Sequence, residues 1–236
     1  MERRGDVVVL TLRRPTKRNA LTAGMYTELS HQLESCDESG VGAVVLTGSG
    51  GSFTAGTDLT ELRDTDPAVT TRFLLAVHRL PVPLIAAVDG PALGVGTTLL
   101  LHCDLVLATP RSVLGLPFVD LGLVPEAAAT LLLPLRVGTG RATRLALLGE
   151  RIDAATALAW QLVDEVCTDE AALAARAMEL AAALAAKPRA ALRSARALLR
   201  ADGGAVERRL EEDADALLAL LAAGAGAGLT ISTARG

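Results

Sequence analysis

Aromatic residues are scarce in this 236-residue sequence: one Trp, one Tyr and three Phe. Its length suits one large domain or one domain with a small appendage, enough to bury a core. That core must be packed from Leu, Val and Ala, which favours helices that approach closely. Cys36, Cys103 and Cys167 are the three cysteines, far apart and without a C-x-x-C pair. This excludes a disulfide framework and a zinc site and leaves them as buried small apolar residues. There is no basic field. A net charge of −4 argues against a nucleic-acid partner. The longest uncharged apolar stretch, Ala216 to Leu229, falls short of the roughly 20 residues of a membrane span and is broken by glycines. Met1 to Asp6 lacks the apolar core of a signal peptide. A reduced cytoplasmic protein, without a membrane partner, is the expectation by elimination.

Several chemical signatures are missing too. H-E-x-x-H, G-x-S-x-G and G-x-x-x-x-G-K-[ST] do not occur. His31, His78 and His102 fall in predicted helices without ligand spacing and read as surface or satisfied helix histidines, so no metal is expected. Gly94-Val95-Gly96 begins like a dinucleotide fingerprint, but Leu99 stands where the third glycine belongs.

What is present alternates. Val7 to Leu12, Ala43 to Thr47, Leu84 to Val88 and Leu105 to Ala108 read as strands. Between them lie helices capped by Thr22 (running to about Ser39), opened by Asp66-Pro67 (to about Leu80) and beginning near Gly96. Such alternation implies crossovers and a largely parallel sheet. It stops near residue 124. Helices follow from Pro125, from about Arg141, from Asp153, from about Asp169 to Ala186, from Pro188 to Arg200 and from Ala205 to Leu221, with one short strand within Val163 to Cys167. The expected fold class is α/β, with residues 1–185 as core and 186–236 as a C-terminal helical region. The low-complexity stretch from Ala222 to Gly228 is expected to be poorly ordered.

Two strand–turn–helix junctions stand out: Phe53-Thr54-Ala55-Gly56-Thr57-Asp58-Leu59, and Ala92-Leu93-Gly94-Val95-Gly96-Thr97-Thr98. Glycine lets backbone take positive φ and approach a ligand closely. A helix starting just beyond such a turn points free N–H groups and a positive dipole end forward. Two such junctions facing one point would make an oxyanion hole. Either one alone is more simply a tight turn.

Taken together with their surroundings, the junctions resemble the crotonase, or enoyl-CoA hydratase/isomerase, superfamily. The resemblance runs from Arg14-Pro15-Thr16-Lys17-Arg18-Asn19-Ala20-Leu21 through both junctions to His102-Cys103-Asp104-Leu105, Leu121-Gly122-Leu123-Val124-Pro125-Glu126 and the Leu148-Gly149-Glu150 segment, in order, over about residues 5 to 200. It implies a crotonase-like spiral of ββα units, a C-terminal helical trimerisation region, a homotrimer or dimer of trimers, and an acyl-CoA thioester as ligand. No cofactor is implied beyond the coenzyme A carried by the substrate. The oxyanion donors would be the Thr57 and Val95 N–H groups. Lys17, Arg18 and the Ala55 backbone would meet the nucleotide end of CoA, and Gly56, Asp58, Leu59, Gly94, Gly96, Thr98 and Phe118 would line the site.

Departures from the family pattern narrow the chemistry. Hydratases of this family add water with two glutamates, and Thr98 and Phe118 occupy those positions here. Neither side chain replaces a carboxylate near neutral pH. The carboxylate left within a motif is Glu126, and the resemblance implies a 3-enoyl-CoA to 2-enoyl-CoA isomerase using it as the single acid/base. A plainer alternative makes Glu126 a first-turn acid after Pro125, complementing the helix dipole. The dipole would lower its pKa and an apolar pocket with Phe118 would raise it. Asp120, Glu61 and Asp64 are weaker candidates, and Asp58 and Asp104 read as turn braces. Two other functions stay open: hydratase-like, decarboxylase or thioesterase activity using other carboxylates, and a non-catalytic CoA-binding protein. The segment from Ala222 to Gly236 has one arginine and no aromatic residue, unlike the basic, aromatic tail common in the family.

Overall fold

The central strands are nearly continuous apolar runs, and burial of both their faces sets the layers of the molecule. The computed structural model describes residues 1–36, 40–62, 65–200 and 203–225. Strand β1 (Glu2–Arg4) pairs antiparallel with β2 (Val7–Leu12). Helix α1 (Ala23–Glu34) then leads to β3 (Ala43–Gly48), and α2 (Pro67–Arg79) to β4 (Leu84–Val88). Short elements follow, β5 (Pro91–Leu93) and α3 (Val95–Thr98), before β6 (Leu105–Ala108) and β7 (Val113–Gly115). The rest comprises α4 (Ala129–Val137), α5 (Thr139–Leu148), β8 (Arg151–Asp153), α6 (Ala154–Ala159), β9 (Glu165–Val166), α7 (Glu170–Ala185), α8 (Arg189–Leu199) and α9 (Gly203–Ala222).

Strands β2, β3, β4, β6 and β9 lie side by side and parallel, with β1 as the antiparallel edge. Val8, Leu10, Val44, Leu46, Leu84 and Ala86 face one layer, which holds Tyr26 and Leu29 of α1, Phe73 and Val77 of α2, and Val206 and Leu210 of α9. Val7, Val45, Ile85 and Leu107 face the other, against Leu173, Ala177 and Ala181 of α7. Alanines on that helix let it sit close to the sheet, offsetting the shortage of large aromatic residues. Cys36, Cys103 and Cys167 are all free and buried. Among the described residues no helix is long and apolar enough to cross a membrane.

The parallel sheet and most helices agree with the sequence reading. The caps do as well: Thr22 accepts from the Met25 N–H, Asp66 from Ala68, Asp153 from Thr156 and Asp169 from Ala172. Two features differ. A second sheet, β5–β7–β8, has three-residue strands too short to stand out as apolar runs. The helix expected from Pro125 begins instead at Ala129, because Ala127 and Ala128 take left-handed φ values of 61° and 53°. The C-terminal end of the first expected helix, residues 37–39, lies outside the described residues, as does 226–236 of the tail.

Asp104, at the entry to β6, ties α8 to the sheet. Its carboxylate accepts the Leu84 N–H at 2.7 Å and pairs with Arg196 at 2.8 Å and Arg200 at 3.2 Å. Arg196 is only 11% exposed at its side chain, so removing its partner strands a largely buried charge. Asp104→Ala is expected to lower unfolding free energy by about 3 kcal/mol in urea titrations. A loss below half a kcal/mol would show that α8 is held by other contacts.

Candidate active site

Because β3 and β4 are parallel neighbours, the segments leaving their C-terminal ends emerge side by side, the usual place for ligands in such sheets. The two segments bond directly. The Phe53 and Thr54 N–H groups donate to Pro91 O at 3.1 and 3.0 Å, and the Leu93 N–H donates to Thr54 O at 3.0 Å. Gly56 and Gly94 meet where they turn, with φ of +98° and +57°. A Cβ on Gly56 would lie 2.9 Å from Leu93 O and 3.8 Å from the Gly94 Cα, so both conformation and space require glycine there.

This pairing leaves two donors unused. Leu21 N–H donates to Gly56 O and Asp58 N–H to Leu21 O, both at 2.8 Å, forming a parallel bridge between Leu21 and Thr57. In such a bridge the central residue turns its own N–H the opposite way. On the other turn, the Gly94 N–H donates to Gly115 O at 3.0 Å, and Val95 opens α3, where a first-turn N–H has no helical acceptor. No described residue accepts from Thr57 N–H or Val95 N–H.

The surrounding side chains hold this geometry. Thr97 Oγ1 donates to Ala92 O at 2.5 Å and accepts the Gly115 N–H at 3.0 Å, joining α3 to both β5 and β7. Buried Asn19 donates to Ser49 O and Ser52 O at 2.9 and 2.7 Å, and accepts the Arg14 N–H at 2.8 Å. It thereby ties the loop carrying Lys17 and Arg18 to the first turn. Lys17 and Arg18 are exposed, and Arg18 O accepts the Ala55 N–H at 2.9 Å. Asp58 is engaged elsewhere. It accepts from the Thr60 N–H and hydroxyl and pairs with Arg14 at 2.6 Å, and although burial opposes this, those partners hold its pKa below the ordinary value. Leu59 is half-buried beside it, and Gly96 backs against Thr54.

The titratable groups sort cleanly. Thr98 is fully buried, its hydroxyl 3.4 Å from Val95 O. The Phe118 ring lies over Gly94, its Cζ 3.8 Å from where a Cβ would stand. Glu61 accepts the Ala23 N–H at the start of α1, at 3.0 Å, and exposed Asp120 packs against Gly149. Asp64 is outside the described residues. Glu126 differs from all of these: it is 9% exposed, and none of the hydrogen bonds among the described residues reaches its carboxylate. Burial, reinforced by the charge of Asp213, pushes its pKa up to about 7. The first-turn dipole reading is overturned, since Glu126 precedes two left-handed alanines and the helix starts only at Ala129.

Two participants escape the sequence reading. Tyr26, fully buried on α1, places its hydroxyl 2.7 Å from Thr57 Oγ1. Burial and then the charge of Glu126 push its pKa well up. Asp213, 7% exposed, accepts the Ala128 N–H at 2.8 Å. Its visible signal was its place on the apolar stripe of α9, in line with Val206, Leu210, Leu217 and Leu221. His102 is buried and satisfied, its Nε2 2.8 Å from Ala127 O, and burial lowers its pKa to about 4. Its ring also stands edge-on to His78 at 5.8 Å.

Comparison with known proteins gives a consistent picture. The family model described as enoyl-CoA hydratase/isomerase matches residues 2–221. The chain is similar to the 2,3-dehydroadipyl-CoA hydratase of Escherichia coli, 37% identical over 85% of this chain and 80% of that protein. It is also similar to the 1,2-epoxyphenylacetyl-CoA isomerase of the same organism, 37% identical over 77% of this chain and 74% of the relative. A solved enoyl-CoA hydratase/isomerase from Pseudoalteromonas atlantica superposes with a TM-score of 0.90 at 36% identity, covering 94% of this chain and 90% of its own.

Raised carboxyl pKa values fix the sign of a pH effect on stability. Glu126, near 7, and Asp213, near 6, bind protons more tightly folded than unfolded. Their contribution is therefore fully present below the ordinary carboxyl range and is lost as pH rises through 6 to 7. Glu126→Gln, which cannot ionise, is expected to gain on the wild type by on the order of 2 kcal/mol between pH 4.5 and pH 8 in urea unfolding. A difference that is constant across that range would refute the buried, uncompensated carboxylate.

Proposed function

The chain belongs to the enoyl-CoA hydratase/isomerase family, and on that premise we propose that it is a 3-enoyl-CoA to 2-enoyl-CoA isomerase with Glu126 as its acid/base. Its relatives are named both hydratase and isomerase, so the choice rests on residues. The observation that carries the isomerase reading is the carboxylate inventory. Asp58 is committed to Arg14 and Thr60, Glu61 to the Ala23 N–H, and Thr98 and Phe118 supply no acid. Glu126 alone among these is buried, free of hydrogen bonds and half-ionised near neutrality.

In this reading the thioester oxygen accepts from Thr57 N–H and Val95 N–H. Ionised Glu126 removes a proton from C2, the electron pair moves onto the thioester oxygen, and the enolate forms between the two donors. As the enolate collapses, the double bond shifts from C3–C4 to C2–C3 and Glu126 returns its proton to C4. One proton is taken and one delivered, so no further cofactor is part of the proposal. A pKa near the working pH serves both halves, since the group must first accept and then donate. Removing one donor of such a hole costs roughly 10²–10³ in rate, so the hole and the base each carry a large part of the acceleration. Lys17 and Arg18, exposed at the mouth of the loop braced by Asn19, would meet the phosphates of coenzyme A. A homotrimer or dimer of trimers belongs to the same proposal, and exposed Leu198 and Leu199 on α8 are apolar surface that assembly could cover.

Purified protein given a 3-enoyl-CoA is expected to form the conjugated 2-enoyl thioester, followed by its ultraviolet absorbance, with activity rising through pH 7 as Glu126 ionises. Glu126→Gln is expected to lower kcat by roughly 10²–10⁴. Undiminished turnover by that variant would sink the assignment. Water addition to crotonyl-CoA without isomerisation would instead favour a hydratase working through another carboxylate.

A further inference from the structure

The segment between Glu126 and α4 is held in a conformation its own residues disfavour. Ala127 and Ala128 carry side chains, yet both adopt left-handed φ, and both are fully buried. Consecutive left-handed residues with a Cβ persist only where neighbours hold them. Two side chains from separate elements do so. His102, which follows α3, lies 2.8 Å from Ala127 O through Nε2. A carbonyl oxygen only accepts, so Nε2 carries the proton, in keeping with a neutral, buried ring. From the other side, Asp213 Oδ2 of α9 accepts the Ala128 N–H at 2.8 Å.

We propose that Asp213 is a positioning residue for Glu126, clamping from α9 the turn that aims the Glu126 carboxyl and placing a second carboxylate beside that turn. This rests on the reading of Glu126 as acid/base. Asp213 interrupts the apolar stripe of α9, where an unpaired acid is expensive, and among the described residues its carboxylate accepts a hydrogen bond from the turn. The charged groups around the pair are few. Burial and then the charge of Asp213 raise the pKa of Glu126, and burial and then the charge of Glu126 raise that of Tyr26 on α1. Asp213 itself is influenced by Arg209, which pairs with Glu212 and donates to Thr130 Oγ1, and by Glu212. His102 is uncharged in the range where the two acids titrate. With Asp213 titrating near 6 and Glu126 near 7, the two carboxyls ionise in overlapping steps.

Asp213→Asn separates the two roles, because its amide oxygen still accepts the Ala128 N–H while the charge is gone. The measurement is a carbon-13 NMR titration of the Glu126 carboxyl in glutamate-labelled whole protein, assigned by the signal missing in Glu126→Gln. The expected result is a midpoint lower by on the order of one pH unit in Asp213→Asn. An unmoved midpoint overturns the proposal. Wild type supplies a second measurement that needs no folded variant: the Glu126 curve should show an inflection at the Asp213 midpoint, and a single independent step overturns the coupling. In the isomerase assay, Asp213→Asn should shift the acidic limb downward by the same amount. Asp213→Ala, which also releases the turn, should lower kcat at least tenfold with little change in KM. If the midpoint moves but wild type turns over no 3-enoyl-CoA, the isomerase reading fails while the role of Asp213 stands. Turnover with an unmoved midpoint gives the reverse.

Discussion

Two backbone N–H groups left without acceptors, those of Thr57 and Val95, are the constraint around which this structure is arranged. An unpaired N–H in a largely buried setting costs about 1–3 kcal/mol, and a chain free to relax would bond it. Relaxation is opposed because the backbone groups on either side are already engaged. Leu21 takes both Gly56 O and the Asp58 N–H, Gly115 takes the Gly94 N–H, and Thr54 and Pro91 lock the turns to each other. The arrangement traces back to the parallel pairing of β3 and β4, which delivers the turns to one edge of the sheet. Buried Asn19 and Thr97 extend the bracing outward to the basic loop and to β7.

The carboxylate side obeys a complementary rule. Acids near the turns are neutralised by Arg14, by a helix N-terminus or by turn N–H groups, and they serve as structure. Glu126 receives none of these partners. The burial that makes it costly at high pH also gives it a pKa near neutrality, so stability and reactivity pull in opposite directions at one residue. Its backbone is forced as well, by left-handed Ala127 and Ala128. Strain and uncompensated charge thus coincide at one segment, and α9 and His102 restrain it.

Much of this was legible in the sequence because the signals were local. β-rich apolar runs such as Val7 to Leu12 marked the strands, Thr22, Asp66, Asp153 and Asp169 marked helix starts, and glycines at 56 and 94 marked turns that need positive φ. What was not legible depended on distant partners. The three-residue strands of the second sheet are too short to stand out as apolar runs. Pro125-Glu126 looks like a helix start, and only contacts from residues 102 and 213 explain why helix geometry is postponed to Ala129. Tyr26 belongs to an ordinary apolar helix face, and its hydroxyl's bond to Thr57 spans 31 positions in sequence. The direction of the Glu126 pKa shift could not be read at all, since it turns on burial rather than on helix position.

The central claim is that the two unpaired N–H groups receive a thioester oxygen while Glu126 faces the adjoining carbon. A crystal structure with a non-reactive acyl-CoA thioester analogue tests it directly. The thioester oxygen should lie about 2.7–3.1 Å from both the Thr57 and Val95 nitrogens, with the Glu126 carboxylate against C2 and C4 of the acyl chain. An oxygen bound by neither nitrogen, or a Glu126 carboxylate turned away from the acyl chain, would contradict the account.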